Sequence, residues 1–103
     1  MIVLVKVTFI DDADASKGID IMTCSSIDCA KEVLLDYLNK SFETNCKSLN
    51  EVEDSLSELE DCGVGEDGLS FHWWDNGQGE SFQISRINER EVNTKFQRVG
   101  VFY

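Results

Sequence analysis

One histidine, four cysteines and twenty carboxylates are the side chains with most chemistry to offer in this 103-residue sequence. His72 is the sole imidazole, so general acid–base or triad catalysis would run through it. It stands between Phe71 and Trp73 in an alternating apolar segment, a setting that suits a structural or surface role. Cys24, Cys29, Cys46 and Cys62 allow a Cys–His nucleophile pair, or two disulfides in any of three pairings. In a reducing compartment they are expected as free thiols. Their spacings, with four, sixteen and fifteen residues between them, include no pair separated by two, so zinc is not expected. Asp12, Asp14 and Ser16 imitate the first ligands of a calcium loop, but Lys17 occupies the turn-glycine position and Thr23 that of the bidentate glutamate. Gly63, Gly65 and Gly68 have phosphate-loop spacing, yet Glu66 and Asp67 would repel a phosphate and no Lys-Ser/Thr pair follows. Gly68-Leu69-Ser70 runs on into Phe71 and His72 and makes no nucleophile elbow. Carboxylate pairs of the glycosidase kind arise by chance among twenty acids. No catalytic, cofactor or metal residue is assigned, and the chain reads as a non-enzyme.

The carboxylates are informative through their distribution. Residues 48–85 hold ten acids and no Lys or Arg: Glu51, Glu53, Asp54, Glu58, Glu60, Asp61, Glu66, Asp67, Asp75 and Glu80. Before them stand eight acids against five Lys, and after them two acids against four Lys or Arg. Like charges three or four residues apart on a helix repel, and alternation of sign would have relieved this. The formal net charge of −11 is therefore regional, and a regional field suits a surface that meets a basic partner. A sequence pI near 4.3 argues against direct contact with nucleic acid or an anionic membrane, whose phosphates attract Lys and Arg.

A hydrophobic fraction of 42% and ten aromatic residues predict a folded chain with one core, a single acidic domain over residues 1–103. The apolar run at residues 1–5 lacks a basic leader and a cleavage site, and nothing approaches the length of a membrane span. A cytosolic location is expected, the host cytosol if the chain is phage-encoded.

Alternation predicts strands at 2–10, 19–23, 69–74 and 80–87, with a last strand at 94–103. Residues 11–18 read as an acidic hairpin tip, and the Asn76-Gly77 pair as a turn. Ser25 with Asp28 reads as a capping box before a helix bearing Ile27, Ala30, Val33, Leu34, Tyr37 and Leu38 on one stripe. Ser48 with Glu51 opens a second helix to about Asp61, with Leu49, Val52, Leu56 and Leu59 inward and Gly63 as the stop. On that helix Glu51, Asp54, Glu58 and Asp61 would form a continuous ridge, widened by Glu53 and Glu60. The order ββααβββ implies an α+β fold: a mainly antiparallel sheet of about five strands with two helices on one face.

Trp73 and Trp74 must point to opposite sides of their strand, so one belongs to the core and the other is at least partly exposed. With His72, and beside Asp75 and Glu80, Trp74 is expected to form an aromatic anchor rimmed by carboxylates. In size, acidity and lack of catalytic signals the chain resembles the small phage-encoded inhibitors, among them anti-CRISPR and anti-restriction proteins that imitate the charge of DNA. That resemblance implies a non-enzymatic inhibitor which occupies the nucleic-acid-binding surface of a basic protein. The alternatives are an immunity protein covering a basic nuclease toxin, which would use the same acids and anchor, and a small Cys/His enzyme or redox protein.

Overall fold

Strand β1 (Ile2–Ile10) is apolar on both sides at its start and sits inside the sheet, paired antiparallel with β2 (Asp14–Cys24) on one edge and β5 (Gln78–Arg86) on the other. The computed structural model describes residues 1–10 and 14–87. Within them the elements run β1, β2, α1 (Ile27–Phe42), α2 (Leu49–Ser55), β3 (Asp61–Val64), β4 (Ser70–Asp75) and β5. The sheet order is β2-β1-β5-β4-β3, antiparallel throughout. This is the α+β architecture expected, and the order ββααβββ roughly matches, with β3 standing where the second helix was expected to end and the strand expected last lying outside the described residues.

Both helices cover one face. Ile2 and Leu4 of β1, Phe82 and Ile84 of β5 and Phe71 of β4 are buried there against Ala30, Leu34 and Leu38 of α1 and Val52 of α2. Val3 and Ile21, of opposite strand parity, are buried on the other side.

The helix ends differ from those expected from the sequence. The first helix is capped by Ser26, whose hydroxyl accepts from the Cys29 N–H at 3.0 Å; the box expected from Ser25 lies one residue early. At the other end Glu43 takes left-handed geometry (φ 55°), and Asn39 ties down the following turn. The Asn39 side chain accepts from Thr44 Oγ1 and the Cys46 N–H and donates to the Cys46 carbonyl. The second capping residue is as expected: Ser48 Oγ accepts from the Glu51 N–H. The Glu51 carboxylate, however, reaches back to the Lys47 N–H.

The second helix does not run to Asp61; it stops at Ser55. Ser55 Oγ bonds back to the Glu51 carbonyl at 2.7 Å, a bond that weakens helix continuation. Beyond it Leu56 is still buried and Leu59 still packs on the core, so the three-and-four spacing persists through a turn that is no longer helical. Asp61 begins β3, and Gly63 is a mid-strand residue rather than a helix stop. A side chain at Gly63 would come within 2.8 Å of the His72 ring, which lies across it.

Strand β2 begins at Asp14 rather than at 19, so the hairpin connection is shorter than expected; residues 11–13 lie outside the described residues. The strand expected at 94–103 and the connection at 88–93 also lie outside them. Between β4 and β5 the turn is Asn76-Gly77 alone, both with positive φ (50° and 78°), which such a two-residue hairpin requires. No helix among the described residues is long and apolar enough to cross a membrane.

Candidate functional site

The acids of residues 51–67 lie along the β3 edge of the sheet, on α2, the 56–60 turn, β3 and the loop into β4. Glu51, Asp54, Glu58, Glu60, Asp61, Glu66 and Asp67 are all exposed. The continuous helical ridge drawn from the sequence does not exist, because the helix supplies only Glu51, Glu53 and Asp54 of it. What replaces it is a set of exposed carboxylates spread over helix, turn, strand and loop.

Several of these carboxylates have structural duties. Glu53 is half-buried, and its Oε2 accepts the Val64 N–H of β3 at 3.0 Å, which occupies a hydrogen-bonding group on an edge strand. Glu60 and Asp75 clasp the turn to the β4–β5 hairpin. The Glu60 N–H donates to Asp75 Oδ1 at 3.3 Å, and the Asn76 N–H donates to Glu60 Oε1 at 3.2 Å. Asp61 Oδ2 lies 3.1 Å from His72 Nε2, both side chains being about half-exposed or more. Asp67 accepts the Leu69 N–H. Asp54, Glu58 and Glu66 make no hydrogen bond or ion pair with the described residues, and their charges face solvent.

The tryptophans divide as strand parity requires. Trp73 packs on the core, meets Phe42 edge-on at 5.3 Å and donates its indole N–H to Glu80 Oε1 at 3.0 Å. Trp74 lies half-buried on the other face, over Gly79, where an added side chain would stand 2.9 Å from its ring. No protein-family model, curated protein or solved structure matches this chain.

The carboxylate rim expected around Trp74 is rearranged. Asp75 and Glu80 have the parity of Trp73 and turn to the helix side; the acid beside Trp74 is Asp61, its cross-strand neighbour, with His72 next along the strand. Glu80 is only 12% exposed and belongs to an internal network. Its Oε2 accepts the Tyr37 hydroxyl at 2.5 Å and lies 3.8 Å from Lys6 Nζ. Lys6 in turn stands 3.7 Å from Asp20 and 4.9 Å from the centre of the Tyr37 ring. Burial, and then the bond to Glu80, push the Tyr37 hydroxyl well above its ordinary range. This network escaped the sequence reading, although its signal was present: Lys6 shares the parity of Ile2 and Leu4, so it had to enter the core side and find a carboxylate there.

The cysteines are free and partly buried. Burial and the neighbouring Cys29 raise the Cys24 thiol; burial, then Glu53 and Asp61, raise the Cys62 thiol. A raised thiol holds less thiolate at neutral pH, the opposite of nucleophile activation. Among the described residues no group of three His, Cys, Asp or Glu side chains is placed to hold a metal.

Proposed function

We propose that the protein is a non-enzymatic acidic inhibitor that occupies the basic, nucleic-acid-binding surface of another protein, in the manner of DNA mimics such as anti-CRISPR and anti-restriction proteins. The observation that carries this reading is the acidic edge: seven exposed carboxylates between Glu51 and Asp67, in a stretch with no Lys or Arg from residue 48 to 85. A nucleic-acid-binding protein spaces Lys and Arg to meet phosphates, and fixed carboxylates satisfy the same groups. The clasps through Glu53, Glu60 and Asp75 hold that edge in shape, so its charges need not be ordered at the moment of binding. The half-buried Trp74 beside Asp61 supplies an apolar contact at its margin.

The test uses the three carboxylates without structural partners. Tagged protein is incubated with lysate at low salt, and the retained material is challenged with duplex DNA. Retained proteins should be nucleic-acid binders that DNA displaces, and the triple variant Asp54→Lys, Glu58→Lys, Glu66→Lys should retain far less. Equal retention by a folded triple variant, with no displacement by DNA, would overturn the reading.

A further inference from the structure

A cleft of about 260 Å³ opens where the end of β1, the start of β5 and the last turn of α1 meet. Its walls are Thr8, Phe42 and Trp73, its inner surface includes Glu80, and Gln78 and Ser41 stand exposed at its rim. We propose that this cleft receives one arginine side chain presented by the basic partner, a step that rests on the reading above and gives it a specific point of contact.

The chemistry of the walls selects the ligand. Glu80 Oε1 accepts the Trp73 indole N–H, and its Oε2 accepts the Tyr37 hydroxyl and lies 3.8 Å from Lys6 Nζ, a cation shared with Asp20, so the Lys6, Asp20 and Glu80 set keeps a net negative charge. Oε1, with one partner, has a second lone pair, so the group remains an acceptor toward the cleft. Phe42 and Trp73, nearly perpendicular at 85°, offer ring surface beside that carboxylate, the combination that favours a guanidinium through stacking and cation–π attraction. The last turn of α1 adds the partial negative charge of its carbonyl end. The described residues lining the cleft include no Lys or Arg, and Lys6, behind Glu80, is shared with Asp20. An anion would meet both a carboxylate and a helix C-terminus, and an apolar group would take water from Glu80 and return no bond. A cation is the ligand that gains from every wall.

The probe is N-acetyl-arginine amide, titrated into the isotopically labelled full chain while the two indole N–H resonances are followed; Trp74→Phe assigns them. A saturable shift of the Trp73 resonance is expected. The neutral isostere N-acetyl-citrulline amide should leave it unmoved, and the lysine amide should act more weakly because a compact ammonium stacks less well. Glu80→Gln should weaken the arginine probe about tenfold, the loss of one charge-assisted contact. Since that change also alters a buried network and can unfold the chain, Gln78→Lys at the exposed rim tests the same point in a folded protein, by placing a competing cation there.

No saturable shift, an equal response to citrulline, or undiminished binding by a folded Gln78→Lys would overturn the proposal. The Asp54, Glu58, Glu66 variant separates this outcome from failure of the broader reading, because its changes lie away from the cleft. It should lose partner retention and still bind the probe. If retention depends on those acids but the probe never binds, the cleft assignment falls alone.

Discussion

Trp73 and Trp74 are neighbours in β4 with opposite surroundings, and the difference is measurable. Trp73 is packed on the core, against Phe42, and bonded to Glu80, so Trp73→Ala removes a large side chain and leaves Glu80 with one donor fewer. A loss on the order of 3–5 kcal/mol is expected. Trp74 covers Gly79 across the β4–β5 pair, and a cross-strand contact of that kind contributes about 1 kcal/mol. Denaturant unfolding of both single variants checks this, and a Trp74→Ala variant that loses as much as Trp73→Ala would contradict the assignment of faces. At this scale strand parity made the division legible in the sequence. The same parity, followed through the hairpin register, puts Asp75 and Glu80 on the helix side.

Among the elements, the strands β1 and β5, the helix α1 and the Asn76-Gly77 turn were legible because periodicity and turn chemistry agree there. The end of α2 was not, because Leu56 and Leu59 keep helical spacing while burying themselves from a turn, and because β3 is too short to show alternation. A seven-residue helix depends on its cap, so Ser48→Ala should cost about 1 kcal/mol in unfolding free energy, with the lesion confined to the α2 region in hydrogen exchange. A loss of that size spread evenly over the sheet would argue against a local role.

Tyr37 joins α1 to β5 through Glu80, and this link has a pH signature. Its hydroxyl holds its proton more tightly in the folded chain than at the ordinary value of 10.0, first through burial and then through the Glu80 bond. Stability from this group is therefore complete below pH 10 and is lost as pH rises beyond it. Cys24 and Cys62 act in the same direction above their ordinary 9.0, so the useful measurement is the difference in melting temperature between the parent and Tyr37→Phe across alkaline pH. The parent should start higher and converge on the variant as the tyrosine ionises; a constant gap would show that the hydroxyl bond is not what links the helix to the sheet.

Over the whole molecule, the acidic edge is a self-repelling arrangement that the fold tolerates. Exposed charges interact over the screening length, about 8 Å at physiological salt, so the repulsion among Glu51, Asp54, Glu58, Glu60 and Asp61 is felt most at low ionic strength. Two consequences follow for the isolated protein, before any partner is present. Added salt should raise its melting temperature, because screening relieves the like charges without touching the buried Lys6–Glu80 pair. The triple variant Asp54→Lys, Glu58→Lys, Glu66→Lys should be more stable than the parent at low salt, by a few tenths of a kcal/mol per removed repulsion, and the gap should close as salt is added. Those three side chains make no bond with the described residues that the change would break. Stability that rises while partner retention falls is the pattern of charges kept for binding at a cost to the fold. A triple variant less stable than its parent at low salt would show instead that these carboxylates hold the structure together, and the acidic edge would need a structural explanation.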